Sequence, residues 1–151
     1  MRELLRVQDT GLSSIGVLFR PVAIWYGGDV QDIAIRMGDS VNRVCTISED
    51  GQQIVHSHGG QRGSETGQYN GPLHVAVDDN MQQVFVADFI NRRVTLLSPT
   101  LEYVRQMVSP GKFSGSPCRL SLDAGRRYLC VADNEVVEGK WILGRVLVFS
   151  V

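Results

Sequence analysis

The chain has 151 residues, of which 43% are hydrophobic and 21% charged, and its formal net charge is -1. That length suits about one domain, and the near-neutral charge gives no general attraction to nucleic acids. No apolar run approaches the roughly 18 residues that a membrane-spanning helix needs, and the charged first residues are unlike a signal peptide. The three cysteines lack C-x-x-C spacing, which favours reduced thiols over disulfides or a metal site. We therefore expect a globular cytoplasmic protein.

Short runs rich in β-branched residues predict strands along the whole chain. The run at 3–8 (ELLRVQ) is interpreted as the last strand of a preceding unit, and residues 1–19 as that strand and a linker. A first strand is predicted at 20–26, two more within 33–48, and a fourth at 52–58. Together they predict a degenerate four-stranded unit over residues 20–66.

The second half of the chain contains the same pattern twice. PLHVAVDDNMQQVFVAD at 72–88 and PCRLSLDAGRRYLCVAD at 117–133 correspond at a constant offset of 45 residues. The first copy predicts strands at 73–77, 83–87, 92–98 and 103–108, and the second at 119–122, 128–132 and 144–151. These runs are apolar at nearly every position, which is typical of sheets covered on both faces.

Units of about 45 residues with four short strands each predict the blades of an all-β fold, the β-propeller. We assign one blade to residues 67–110 and a C-terminal blade to residues 111–151, in addition to the degenerate blade at 20–66. About three four-stranded antiparallel blades are therefore expected, which is too few to close a ring. The partners expected on this ground are the remaining blades of a longer chain or a second copy of this chain.

The segment GQYNGPLHVAVDDNMQQVFVADFINRRVTLLS resembles an NHL repeat, and the similarity extends over about residues 20–151. Its pattern is a glycine, an aromatic ring and a proline, then a strand ending in Asp and an Asn-x-Arg-Val stretch. The resemblance implies a partial propeller similar to the C-terminal half of the NHL domain in tripartite-motif (TRIM-NHL) proteins. The repeated polar residues are interpreted as structural, with each Asp fixing a turn through backbone N–H groups and a nearby Arg. They are Asp78, Asp88, Arg93, Asp123, Asp133 and Arg145.

Function is expected on loops, which the scaffold leaves free to vary. Strand alternation places the turns between second and third strands, and the connections between blades, on one face. Cations and aromatic rings there suit either single-stranded RNA or a protein partner, and the sequence does not decide between them. The candidate binding residues are His74, Phe89, Asn91, Arg92, Lys112, Arg119, Lys140 and Trp141.

The third blade has a longer link between its second and third strands. Val146 lies thirteen positions after Asp133, whereas Val94 lies six positions after Asp88, and the inserted segment NEVVEGKWILG contains the large apolar residues Val136, Val137, Trp141 and Ile142. One hypothesis is a loop that folds over the variable face and offers Trp141, with Lys140 beside it, to a partner. The alternative is that Trp141 and Ile142 extend the third strand and pack against a neighbouring blade.

No catalytic motif is found, and we expect neither enzymatic activity nor a cofactor. The resemblance implies a role like that of TRIM-NHL proteins, in ubiquitin ligation or post-transcriptional regulation. Ligase activity would reside in a RING domain absent from this chain. The alternative is an enzyme similar to the peptidylglycine amidating lyases, which also use an NHL-like propeller and need a zinc held by several histidines. His56 and His58 have strand spacing for a metal pair, yet no third ligand is evident nearby.

Overall fold

The computed structural model describes residues 20–25, 32–37, 42–47, 54–78, 80–123 and 125–151. These residues form an all-β structure of three antiparallel sheets, with one 3-10 helical turn at Pro110–Lys112. The sequence-based prediction of an all-β chain is therefore confirmed. No helix in these ranges has the length and hydropathy to span a membrane. The strand predicted at 3–8 lies outside the described residues.

The first sheet contains four strands in chain order: β1 (Arg20–Trp25), β2 (Asp32–Met37), β3 (Arg43–Ile47) and β4 (Ile54–Gly59). Its register pairs Ile35 with Val44 and Val44 with His58, so these three residues share one face.

The second sheet has the same simple order: β5 (Pro72–Asp78), β6 (Gln83–Asp88), β7 (Arg93–Leu97) and β8 (Tyr103–Val108). Its central strands β6 and β7 are buried along most of their length. Continuous burial means that both faces of this sheet are covered, as the unbroken apolar runs predicted.

The third sheet has three strands in the described residues: β9 (Ser116–Asp123), β10 (Tyr128–Val137) and β11 (Lys140–Ser150), with β10 in the middle. The insertion predicted at 134–144 extends β10 and β11 into a hairpin that turns at Glu138 and Gly139. Both turn residues have positive φ, at 50° and 74°, as a two-residue hairpin turn that follows the strand twist requires. The inserted residues are thus strand rather than irregular loop.

Two apolar clusters hold the sheets together, one on each face of the second sheet. The cluster between the first and second sheets comprises Val44, Tyr69, Val75, Val77, Val84, Val86, Leu97 and Leu101. The cluster between the second and third sheets comprises Ala76, Phe85, Ala87, Val94, Leu96, Val108, Phe113, Leu120, Leu129 and Val131. Tyr69 and Phe113 come from the connections that enter the second and third sheets, and each ring is buried between two sheets.

The first strands of the three sheets lie side by side. Strand β5 contacts both β1 and β9. The sheets therefore follow one another in sequence order, each packed face to face on the one before it.

Candidate functional site

One side of the second and third sheets carries the links that differ between the repeats, and we call it the connection face. It consists of the connection before β5 (60–71), the turn between β6 and β7 (89–92), the connection before β9 (109–115) and the β10–β11 hairpin (134–144). Backbone hydrogen bonds join the first two segments: Phe89 N donates to Gly71 O at 3.1 Å, and Ile90 N to Asn70 O at 3.0 Å. The connection face is thus a continuous surface built from neighbouring segments.

Asp88 ends β6 and holds this surface to the second sheet. Its carboxylate is fully buried and accepts hydrogen bonds from Asn70 N at 2.8 Å, Asn91 Nδ2 at 2.7 Å and Arg93 Nε at 2.9 Å. Burial raises the pKa of Asp88, while these donors oppose the shift. Arg93 also donates to the carbonyl oxygens of Ser64 and Gln68, both at 2.7 Å. Asp88 and Arg93 therefore join the end of β6 and the start of β7 to the connection before β5.

Asp133, at the repeat position of Asp88, makes a similar set of contacts in the third sheet. Its carboxylate accepts from Arg145 N at 2.6 Å and from Ser114 N at 3.2 Å, and the Arg145 guanidinium lies at 3.7 Å. Burial acts to raise the pKa of Asp133, but the hydrogen bonds from Arg145, Gly115 and Ser114 outweigh it, so the pKa is lowered. A carboxylate that accepts several N–H groups is stabilised in its charged form. Arg145 is half exposed, so its charge contributes less than these bonds.

The polar candidates in the β6–β7 turn are engaged within the chain. Arg92 donates to Gly115 O at 2.7 Å and to Phe113 O at 2.6 Å. Asn91 donates to Gly63 O at 2.8 Å, besides its bond to Asp88. Phe89 is partly exposed beside them. These contacts join the turn to both neighbouring connections, so Arg92 and Asn91 stabilise the fold whether or not a ligand is bound.

Three further candidates lie near the connection end of the sheets. His74 in β5 is half-buried, and its Nδ1 accepts from Leu120 N at 3.3 Å, which joins the second sheet to the third. Burial, with the charge of Arg119, lowers the pKa of His74. Arg119 and Lys112 are exposed. Of these three, the two cations present surface to solvent, and His74 is part of an inter-sheet contact.

The β10–β11 hairpin carries the last two candidates. Lys140 is exposed and pairs across the hairpin with Val137, while Trp141 lies on β11 opposite Val136. Val136, Val137 and Ile142 are 52%, 43% and 45% exposed. The partner strand β9 pairs with β10 only as far as Ser116 opposite Asn134. The hairpin therefore extends past the sheet and presents aliphatic side chains together with a cation.

Two further structural contacts involve residues outside the predicted structural set. Arg127, in the turn before β10, forms an ion pair with the fully buried Asp78 of the second sheet. Asn42 Oδ1 accepts from Gly71 N at 2.8 Å and joins the first sheet to the connection before β5. Arg127 stands where the other repeat has Gln82, so comparing the copies gave no signal for it.

The Asp residues that end β5 and β9 each cap the following turn. Asp78 accepts from Asn80 N at 3.0 Å, and Asp123 accepts from Arg126 N at 3.0 Å. The repeat therefore uses Asp at this position to begin a turn.

His58 of β4 makes packing contacts. His58 lies edge-on to Tyr69 with ring centroids 5.6 Å apart and stacks on Tyr103 at 6.5 Å. Burial lowers the pKa of His58. Within the described ranges, no group of three or more His, Cys, Asp or Glu side chains is arranged to hold a metal ion.

Compared with known proteins, the chain matches no protein-family model and no curated protein at a significant level.

Proposed function

We propose that the chain is part of a β-propeller with NHL-like blades and acts as a non-catalytic recognition module for a protein partner. Three features support the propeller: consecutive antiparallel sheets in simple strand order, first strands lying side by side, and a repeated Asp at equivalent turns. A cytoplasmic location belongs to the same proposal.

The observation that carries the recognition role is the exposed β10–β11 hairpin. Scattered exposed hydrophobic residues are ordinary on protein surfaces, whereas a contiguous apolar group that projects from a sheet marks an interaction site. In the hairpin of eleven residues, Val137 and Ile142 lie on one face, since Ile142 pairs with Glu135, and Val136 lies on the other, opposite Trp141; Val136, Val137 and Ile142 are all exposed. The same link in the second sheet spans only residues 89–92.

The chemistry of this group favours protein over RNA. Single-stranded RNA is bound by aromatic rings on which bases stack and by cations along the backbone. The exposed aliphatic residues of the hairpin offer neither and suit the apolar centre of a protein interface, and the adjacent Lys140 suits its polar rim. The cations of the connection face belong to its rim in this arrangement, since Arg92 already donates to main-chain carbonyls.

Photo-crosslinking in cells tests this proposal directly. A photoreactive amino acid at Val136 should capture a protein partner, whereas the same group at Val104, which is equally exposed on β8, should not. Once the partner is identified, Trp141→Ala should weaken its binding by on the order of 2 kcal/mol if the residue is a hot spot, with little change in melting temperature.

Two results would argue against a protein partner. Capture of RNA in place of protein, with binding that weakens steeply as salt rises, would favour the RNA hypothesis. A large drop in melting temperature for Trp141→Ala, with binding intact, would assign that residue to the core.

A further inference from the structure

Three of the chain's five prolines directly follow a serine, at Ser98-Pro99, Ser109-Pro110 and Ser116-Pro117. A serine followed by proline is the substrate pattern of proline-directed serine kinases, and many of these enzymes also favour a basic residue three positions after the serine. Proline suits the position after the serine because it has no backbone N–H that an apolar pocket of the enzyme would leave unsatisfied. Lys112 stands three positions after Ser109. Arg119 stands in the same relation to Ser116, so the sequence contains two sites of the full pattern.

The fold makes two of the three serines inaccessible to a kinase. Ser116 begins β9 as a paired residue, and the following residues 117–118 are buried. Ser98 is partly buried, and its hydroxyl lies 3.0 Å from the Thr100 hydroxyl and accepts from Glu102 N at 3.0 Å. A kinase must enclose the serine hydroxyl and the residues after it, and neither segment is free for this while the sheets are intact.

Ser109 is accessible in the folded chain. It lies in the connection before β9, where residues 109–112 are all exposed between the buried side chains of Val108 and Phe113. Its backbone is extended, with φ -82° and ψ 155°, and within the described part of the chain its side chain makes no hydrogen bond that caps the 3-10 turn. Backbone hydrogen bonds of 3.1 and 3.2 Å from Lys112 N and Phe113 N hold this turn. The turn can therefore open into an enzyme cleft for the small net cost of a few backbone hydrogen bonds.

The surroundings of Ser109 can also accommodate the charge of a phosphate. Lys112 is exposed at the end of the same turn. Arg92 and Arg145 both donate to main-chain carbonyl oxygens of the connection before β9. The carboxylate of Asp133, which contacts the same connection, is buried and accepts N–H groups. A phosphoserine carries a charge of about -1.5 to -2 at pH 7, which neighbouring Lys and Arg side chains stabilise, so phosphate at Ser109 is compatible with the fold.

We propose that Ser109 is a phosphorylation site for a proline-directed serine kinase. Ser109 Oγ attacks the γ-phosphorus of ATP and forms an O–P bond, while the bond from that phosphorus to the β,γ-bridging oxygen breaks and ADP leaves. The hydroxyl proton passes to the carboxylate base of the kinase. The product carries a phosphate in place of a neutral hydroxyl on the connection face. The proposal rests on the exposure and sequence of residues 109–112 and not on partner recognition by the hairpin.

Phosphorylation of the purified full chain tests the site. A cyclin-dependent kinase, which has this substrate preference, is supplied with ATP, and the modified residue is located by peptide mass spectrometry. We expect a single phosphate at Ser109. Ser109→Ala should abolish incorporation, whereas Ser98→Ala and Ser116→Ala should leave it unchanged. Lys112→Ala should lower kcat/KM for phosphate transfer roughly tenfold, as expected for the loss of one charge-assisted contact with the enzyme.

A synthetic peptide with the sequence of residues 112–121 separates the effect of the fold from that of the sequence. It contains Ser116 with Arg119 at the favoured position but has no sheet around it, so the same kinase should phosphorylate the peptide while Ser116 of the folded chain stays unmodified. Ser109→Ala should keep the wild-type midpoint of urea unfolding, which excludes unfolding as the reason for lost incorporation. No phosphate at Ser109, or incorporation at Ser98 or Ser116 of the folded chain at a similar rate, would overturn the proposal. A peptide that resists the kinase would contradict the shielding assigned to the fold.

Discussion

Asp88→Asn should destabilise the chain strongly, because one buried carboxylate satisfies three donors. One oxygen of Asp88 accepts from Asn70 N, and the other accepts from both Asn91 and Arg93. An asparagine has a single acceptor oxygen, so in either orientation its NH₂ group faces at least one of these donors.

The structure gives a rough size for this effect. Hydrogen bonds to a charged group contribute about 1.5–3 kcal/mol each, and removing one partner of a buried ion pair costs about 3–5 kcal/mol. The two figures cannot simply be added, because the contact between Arg93 and Asp88 is counted both as a hydrogen bond and as an ion pair. We therefore expect Asp88→Asn to lower the free energy of unfolding by about 3 kcal/mol, a large part of the roughly 5–15 kcal/mol typical of a domain.

Urea-induced unfolding followed by circular dichroism measures this loss. The matched control is Asp123→Asn, since Asp123 is exposed and an asparagine oxygen can still cap Arg126 N; we expect a change of less than about 0.5 kcal/mol. Trypsin should also cleave after Arg62 faster in Asp88→Asn, because Arg93 would hold the connection before β5 less firmly. A loss below about 1 kcal/mol, the net value of an ordinary hydrogen bond, would refute the reasoning.

Three further predictions concern contacts between sheets. Arg127→Ala should lower the free energy of unfolding by about 1–2 kcal/mol, because it leaves the buried Asp78 without its cation. The loss stays in this range because solvent partly screens Arg127. The control is Arg126→Ala, at a highly exposed ion pair, which should change the free energy of unfolding in urea by less than about 0.5 kcal/mol. Tyr69→Phe should cost about 1 kcal/mol in the same assay, since the buried hydroxyl loses its 3.2 Å hydrogen bond to β7, and an unchanged midpoint would contradict this. The pKa of His74 is lowered from 6.5 by burial, so the folded state binds fewer protons and stability should fall as pH decreases below 6.5; His74→Asn should flatten that slope, and an equal slope in both proteins would assign it to other groups.

The strands could be predicted from the sequence because their signal is local. The run at 73–77 became β5 at Pro72–Asp78, and the run at 83–87 became β6 at Gln83–Asp88. Short β-branched runs bounded by turn residues indicate both that the element is a strand and how long it is. The repeat then supplied the grouping into units, since equivalent strands recur at a fixed offset.

The insertion is a place where the sequence left two interpretations open. Its length and apolar residues allowed either a loop over the face or an extended third strand, and the chain continues both strands and turns at Glu138-Gly139. A glycine at the second turn position between two apolar pairs is a hairpin signal in itself. The extension of β11 through Trp141 and Ile142 agrees with the alternative hypothesis about strand length, although Ile142 is exposed.

The side-chain contacts of the candidates could not be predicted, because their partners are distant in sequence. Arg92 was chosen as an exposed cation, but its guanidinium binds carbonyl oxygens 21 or more residues away. The ion pair of Arg127 with Asp78 spans 49 residues. No motif specifies such pairs, since backbone carbonyls carry no sequence signature and Arg127 lies at a position where the repeat changes.

The contrast between repeated and unrepeated residues separates scaffold from function in this chain. Asp88 and Asp133 recur with their N–H donors, and each holds a turn and an entering connection in place. A residue committed to such contacts cannot change without loss of fold, so it has little freedom to recognise a partner. The hairpin at 134–144 departs most from the repeat, and its exposed aliphatic residues contribute to neither inter-sheet cluster. For the recognition role that we propose, the hairpin, rather than the cations of the β6–β7 turn, is therefore where specificity for a partner could change without cost to the fold.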